Sequence, residues 1–194
     1  MPDLKIEVTY FEKGGPENTD NALLIAKKYA DQFNIKDIIA ASTTGTTAEK
    51  LADAFDTEIF NVVIVTHAYY FTGSKLRQEF PEEKMESLKN KGLKFHCGTH
   101  SMSGIERAIR IKKEAWQFVD LLAKVLGAHF SMGVKVCIEI TGTVCDAGLI
   151  PDLDRDIICI GGTGRGADTV CLIRPAPTSE FKNMRVKAIL AKPL

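Results

Sequence analysis

In residues 38–53 of the chain, IIAASTTGTTAEKLAD, an apolar run is followed directly by a hydroxyl-rich stretch and then by a stretch with helical spacing. The apolar run at 38–41 predicts a short buried strand. The hydroxyl-rich stretch STTGTT at 42–47 predicts a turn, and the apolar side chains that follow recur at the spacing of a helix over 47–55. A buried strand that leads directly into a helix is typical of α/β domains, so this stretch decides the predicted fold class.

The remainder of the chain repeats this alternation. Segments rich in apolar and β-branched residues predict six further strands, at 6–11, 62–66, 93–97, 156–160, 168–174 and 184–191. The last of these is predicted to lie at a sheet edge. Helical spacing predicts further helices at 19–33, 81–92 and 104–127, the last of them broken once. Strands separated by helices indicate one α/β domain over residues 1–194, with a mostly parallel sheet between two helix layers. Such sheets bind ligands beyond the carboxyl ends of their strands, so functional residues are expected there.

The stretch from Val134 to Val144 fits two structures. Its valine, isoleucine and threonine residues favour a strand. Every third or fourth residue from Val134 to Cys145 instead forms a stripe at helical spacing, and residues 146–148 are suited to ending a helix. Local sequence alone leaves both alternatives open.

Composition argues against several classes of function. The 194 residues contain 25 basic and 25 acidic side chains, so the chain lacks the positive surplus of a general nucleic-acid binder. No apolar run reaches the ~18 residues of a membrane span, and the N-terminal sequence MPDLKIEVTYFEKGG lacks the apolar core of a secretory signal. The five cysteines form no C-x-x-C pair and lie mostly in apolar runs, which predicts buried free thiols and a cytoplasmic protein.

The stretch STTGTT is the first candidate binding site. Gly45 allows the backbone to turn sharply before the predicted helix. The free N–H groups at a helix start carry partial positive charge and bind anions. Five hydroxyl groups can add donors at the same place, from Ser42, Thr43, Thr44, Thr46 and Thr47. These residues predict a phosphate or carboxylate site without a basic side chain; the alternative is a threonine-rich turn in which one hydroxyl caps the helix.

A second candidate, the glycine-rich stretch GGTGRGADT at 161–169, also follows an apolar strand. It is not the dinucleotide-binding fingerprint, because a strand rather than a helix comes next. Its glycines allow the backbone to approach a ligand closely, and its arginine can hold an anion or stack on a ring. The candidate binding residues are Gly162, Thr163, Gly164, Arg165 and Gly166, and the alternative is a flexible hairpin without a ligand.

Titratable side chains supply candidates for proton transfer. Thr66 and His67 end an apolar strand, so both are predicted to line the crevice, with His67 as acid, base or hydrogen-bond partner. Asp168 is a second candidate acid or base, and either residue can instead be structural. The stretch FHCGTH at 95–100 matches no established zinc spacing, so no metal site is predicted. The turn GGPENT at 14–19 is predicted to cap a helix and to border the same crevice.

Six stretches resemble the C-terminal domain of pyruvate kinases, and more closely the stand-alone pyruvate kinase C-terminal domain-like proteins of archaea and bacteria. In chain order they are YFEKGGPENT, IIAASTTGTTAEKLAD, VVIVTH, SGIERAIR, KVCIEITGTVCDAGLIP and DIICIGGTGRGADTVCLIRPA. The resemblance implies a three-layer α/β/α fold with a mixed five-stranded sheet whose last strand is antiparallel. It also implies a helix for KVCIEITGTVCDAG and an anion site at Ser42–Thr47, where some pyruvate kinases hold the phosphate of an allosteric sugar phosphate.

The chain contains no counterpart of the catalytic barrel of pyruvate kinases, so no pyruvate kinase activity is expected. The favoured hypothesis is a binding protein for a phosphorylated small molecule, nucleotide-like and with FMN as one candidate. The loop at 42–47 would hold the phosphate, the hairpin at 161–168 would pass beneath the ring system, and Thr66 and His67 would line its edge. Two alternatives are an enzyme that acts on a phosphorylated metabolite in the same pocket and a regulatory or oligomerisation module. A homo-oligomer is expected.

Overall fold

The computed structural model of the chain describes residues 5–73, 75–113 and 115–194. The strands are β1 (Thr9–Phe11), β2 (Asp37–Ala41), β3 (Asn61–Thr66), β4 (Lys94–Cys97), β5 (Ile157–Gly161), β6 (Thr169–Arg174) and β7 (Arg185–Pro193). The helices are α1 (Thr19–Gln32), α2 (Thr46–Ala54), α3 (Glu82–Asn90), α4 (Ile105–Lys113), α5 (Phe118–His129) and α6 (Met132–Asp146). The strands in these described ranges form one sheet in the order β1-β7-β6-β5-β2-β3-β4.

The prediction of a five-stranded sheet with an antiparallel last strand is wrong. The sheet has seven strands, and each overlaps one of the seven extended segments that the apolar runs indicated. The strand that runs against its neighbours is β6, because the tight connection at 162–168 reverses the chain after β5. The chain reverses again before β7, so β7 runs antiparallel to β6 and parallel to β1. β7 therefore lies inside the sheet, with β1 outside it, rather than at the predicted edge.

Helices cover both faces of the sheet. In β2, Ile38 and Ala40 pack in one buried cluster with α1, α2 and α3, while Ile39 between them belongs to a second cluster with α6. Neighbouring residues of a strand point to opposite faces, so the two clusters lie on opposite sides of the sheet. The structure is therefore an α/β fold of three layers, with a mixed sheet in the middle.

The ambiguous stretch at 134–144 is helical and forms most of α6. Ten of the 15 residues of α6 are buried, because the helix packs across the middle of the sheet against β2, β5 and β6. The hydroxyl of Ser131 accepts a hydrogen bond from the N–H of Val134 at 3.1 Å and caps the helix start. Tertiary packing therefore outweighs the strand propensity of valine, isoleucine and threonine in this stretch.

The predicted helix at 104–127 is broken once, as expected, into α4 and α5. The carboxylate of Glu106 on α4 accepts hydrogen bonds from the N–H groups of Val119 and Asp120, at 2.9 and 3.2 Å. These are two of the N–H groups at the start of α5 that lack a partner within the helix. The side chain of Glu106 thus caps α5 and joins the two helices.

None of the helices in the described ranges is long and apolar enough to cross a membrane. The five cysteines carry free thiols, three of them buried and two half-buried, as predicted. The cytoplasmic location that these thiols suggest stays a prediction.

Candidate functional site

A cavity of about 350 Å³ opens at the carboxyl ends of β2, β3 and β5. This volume lies within the range of ~300–1,000 Å³ that is usual for small-molecule sites. Its walls come from the loop between β2 and α2, the start of α1, the end of β3, the loop after β4, the hairpin between β5 and β6, and one face of α6. The cavity therefore occupies the position at which open α/β sheets bind ligands.

The loop after β2 contributes backbone donors to this cavity. Gly45 has a φ of +97°, in the left-handed region, and a Cβ at this position would lie 2.5 Å from Cδ of Lys84. The hydroxyl of Ser42 accepts a hydrogen bond from the N–H of Ala48 at 3.3 Å. No described residue accepts a hydrogen bond from the N–H groups of residues 43–47. These donors lie at the start of α2, whose dipole adds partial positive charge, so they suit an anion.

Lys50 adds a basic side chain to this wall, whereas the sequence predicted an anion site without one. A helical side chain points back toward the N-terminus of its helix, so Lys50 lines the cavity together with Thr46 and Thr47. Its Nζ lies 2.5 Å from Oδ1 of Asp20 on α1, and both side chains are exposed. The signal in the sequence is the spacing, because Lys50 follows Thr46 by four residues and shares its helix face.

Asp168 fastens the hairpin between β5 and β6 to the turn before α1. Its side chain is fully buried. Its Oδ2 accepts hydrogen bonds from the N–H groups of Gly15 and Thr163, both at 3.0 Å, and its Oδ1 accepts one from the hydroxyl of Thr169 at 2.8 Å. Asp168 is not among the residues that line the cavity. The geometry of this candidate acid or base is that of a structural residue.

The hairpin and the start of α1 also touch directly. The N–H of Ala167 donates to the hydroxyl of Thr19 at 3.0 Å, and a Cβ on Gly166 would lie 2.3 Å from Cα of Pro16. Pro16 and Thr19 both line the cavity, so the turn at 14–19 borders the crevice as predicted. The two walls therefore hold each other in place.

Ten of the thirteen residues predicted to bind a ligand line this one cavity. They are Ser42, Thr43, Thr44, Thr46 and Thr47 from the loop, and His67, Gly162, Gly164, Arg165 and Gly166 from elsewhere. Gly45, Thr66 and Thr163 are not among the described residues that line it. Thr66 is buried inside the sheet, and Thr163 is exposed on the hairpin.

His67, Glu79 and Arg165 form a chain of polar contacts beside the cavity. Nδ1 of His67 lies 2.5 Å from Oε2 of Glu79, and Nη2 of Arg165 lies 3.4 Å from Oε1 of Glu79. Burial by itself raises the pKa of the Glu79 carboxyl, but the hydrogen bonds and charges of His67 and Arg165 outweigh burial and lower the pKa. Glu79 is therefore an ionised partner that orients His67. It lies in a connection without periodicity and was not predicted from the sequence.

The helix α6 contributes a buried ion pair to the cavity wall. Glu139 is 2% exposed, and its Oε2 lies 2.7 Å from Nζ of Lys135, one turn earlier. Nδ1 of His100 lies 3.7 Å from the same oxygen, which is too far for a hydrogen bond. Burial is the main cause that lowers the pKa of His100, so its imidazole is neutral near pH 7. Neither member of the pair was predicted, although opposite charges four residues apart in an apolar helix are a recognisable signal.

The histidines of FHCGTH do not come together. His96 lies on β4 and lines a separate pocket, while His100 lines the cavity described above. The described ranges contain no group of three or more His, Cys, Asp or Glu residues that could hold a metal ion. That the protein uses no metal stays a prediction.

No protein-family model matches the chain. The resemblance to pyruvate kinase C-terminal domains therefore stays a prediction from the six stretches that carry it. The function proposed below is argued from the geometry of the cavity and the chemistry of the groups that line it.

Proposed function

We propose that the chain binds a phosphorylated small molecule, with the phosphate at the loop of residues 42–47. The observation that carries this proposal is the set of backbone N–H groups at 43–47, which have no acceptor among the described residues and lie beside a cavity. Loop hydroxyls can add further donors, and so can the ammonium group of Lys50, which is paired with Asp20 on α1. An anion with several oxygen acceptors is the group that this end of the cavity favours.

The remainder of the ligand is proposed to be nucleotide-like, with FMN as the first candidate. Val65, Val136 and Ile140 line the cavity alongside its polar loop, which suits a ring system. Gly162 offers close backbone approach, and Arg165 offers a planar cation that can stack on a ring. Pyruvate kinase activity forms no part of this proposal.

Co-purification and thermal shift test the proposal. The absorption and mass spectra of the purified protein are expected to reveal a bound phosphorylated compound, yellow if it is a flavin. Phosphate, FMN, adenosine monophosphate or glucose 6-phosphate at hundredfold excess over the Kd is expected to stabilise the fold by about 2.7 kcal/mol, or about 5–10 °C in Tm. The proposal is contradicted if no compound co-purifies and none of the four raises the Tm.

A second candidate function is an enzyme that acts on a phosphorylated metabolite in the same cavity. The pairing of His67 with Glu79 favours it, because a carboxylate that orients a histidine is common in general acid–base catalysis. His67→Ala is then expected to slow product formation, followed by mass spectrometry, by about hundredfold or more while the Kd changes less than about threefold. His96→Ala is the control, since His96 lies outside the cavity. If the wild-type protein shows no turnover and His67→Ala lowers ligand affinity, His67 is a binding residue and not a catalytic one.

The chain is also proposed to form a homo-oligomer, and exposed apolar side chains favour this. Phe118, Leu121 and Val125 share one face of α5 and are 78%, 52% and 44% exposed. Replacing Phe118 and Leu121 together by glutamate is expected to convert an oligomer to a monomer in sedimentation, whereas Leu24→Glu on α1 is expected to leave it intact. A wild-type chain that sediments as a monomer at micromolar concentration would refute the homo-oligomer.

A further inference from the structure

A second cavity, of about 560 Å³, adjoins the first. The residues that line both are His67, His100, Met132, Val136 and Glu139. Glu139 is the one carboxylate among these shared residues. It lies at the boundary of the two cavities, on the wall that α6 contributes, and it belongs to a different part of the chain from the loop proposed to hold phosphate.

Within the described part of the chain, one of the two oxygens of the Glu139 carboxylate has no partner. The residue is 2% exposed, and its Oε2 is paired with Nζ of Lys135 at 2.7 Å. Its Oε1 is buried and has no hydrogen-bond partner among the described residues. His100 is the other titratable neighbour, and its Nδ1 is 3.7 Å from Oε2. Buried polar atoms are nearly always hydrogen-bonded, so the ion pair alone does not account for Oε1.

The surroundings of Glu139 indicate the chemistry of the missing donor. Met132, Val136 and Ile140 line the first cavity beside it, and apolar walls suit a flat ring. A sugar would bury several hydroxyl groups there, each of which needs its own partner. Lys135 already balances the charge of Glu139, so a cationic ligand is not required. The group that fits is a heteroaromatic ring with an N–H at its edge.

We propose that Glu139 accepts a hydrogen bond from a ring N–H of the ligand, and thereby selects nucleotide-type phosphate monoesters over sugar phosphates and inorganic phosphate. This inference rests on the proposed function, because the loop at 42–47 would hold the other end of the same ligand. The ligand supplies the donor that Oε1 lacks, and a site built around an unpaired polar group discriminates strongly against ligands without the matching group.

Calorimetry with inorganic phosphate, FMN, uridine monophosphate and guanosine monophosphate tests this selection. Phosphate reports on the loop alone, whereas each nucleotide adds a ring N–H. At least one nucleotide is expected to bind the wild-type protein about tenfold or more tightly than phosphate, and methylation of its ring nitrogen is expected to remove that advantage. The methylated ligand is tested on the wild-type protein, so this arm does not depend on the folding of a variant.

Glu139→Gln is expected to weaken the same nucleotide about tenfold and to leave phosphate affinity unchanged. Lys135 would keep the amide oxygen, so the amide N–H groups would face the ligand donor in place of an acceptor. Thr141→Val is the matched control, because Thr141 is fully buried on α6, its hydroxyl donates to the carbonyl of Cys137, and it is not among the described residues that line either cavity. It is expected to leave both affinities unchanged.

The outcomes separate this inference from the proposed function. The role of Glu139 is overturned if phosphate binds and no nucleotide binds more tightly than phosphate. It is also overturned if N-methylation of the nucleotide, or Glu139→Gln, changes nucleotide affinity less than about threefold. In both cases the phosphate site stands. If neither phosphate nor any nucleotide binds the wild-type protein, the phosphate site itself fails, and the role of Glu139 fails with it.

Discussion

Thr46→Glu is expected to abolish phosphate binding, by at least about hundredfold, without lowering the stability of the fold. Thr46 is the first residue of α2, is exposed and lines the cavity. A carboxylate there would stand beside the N–H groups that a phosphate needs. Two like charges ~4 Å apart near a protein surface repel by about 4 kcal/mol, which exceeds the ~2.7 kcal/mol of a hundredfold loss. The same charge at a helix start stabilises the helix by about 0.3–1 kcal/mol.

Calorimetry with phosphate and FMN measures this loss, and the melting temperature measures stability. Thr46→Gln is the matched control, because glutamine has the same shape without the charge, and its affinity is expected to stay within about threefold of the wild type. A Thr46→Glu protein that is as stable as the wild type and binds phosphate within about fivefold of it would place the anion elsewhere than at the start of α2.

Local sequence predicted the elements well, because each element depends on a pattern within a few residues. The run VVIVT became β3, and the glycine-rich stretch at 161–169 became the hairpin between β5 and β6. The order of the strands was not predictable in this way, since it depends on residues far apart in the chain. Thr9 pairs with Ala191, for example, and this pairing places β1 outside β7. The apolar runs indicated seven strands and were a better guide than the resemblance, which implied five.

The candidate site was predictable where its residues are neighbours in sequence and not where packing assembles them. The hydroxyl loop lies within six consecutive residues, whereas Glu139 lines the cavity from α6 and Glu79 contacts His67 from a separate segment of the chain. The structure also separates Thr66 from His67. Thr66 is the last residue of β3 and is buried, whereas His67 follows the end of the strand and lines the cavity.

Asp168→Ala is expected to destabilise the fold by about 3–5 kcal/mol, because three donors, two of them buried and one partly buried, lose their acceptor at a cost of ~1–3 kcal/mol each. These donors are the N–H groups of Gly15 and Thr163 and the hydroxyl of Thr169. For a chain of this size, the loss lowers the Tm by on the order of 10 °C. A catalytic acid or base at this position would give the opposite result, which is lost turnover with stability unchanged or increased.

A short variant series separates these two roles of Asp168. Asp168→Asn keeps one oxygen for the two N–H groups and loses only the bond from Thr169, so its Tm is expected to lie between those of Asp168→Ala and the wild type. Asp154→Ala, at an exposed position, is the control and is expected to change stability by less than about 0.5 kcal/mol. Because Asp168 joins the hairpin at 162–166 to the turn before α1, ligand affinity is expected to fall together with the Tm. An Asp168→Ala protein that melts within about 2 °C of the wild type would reject the structural role and favour a chemical one.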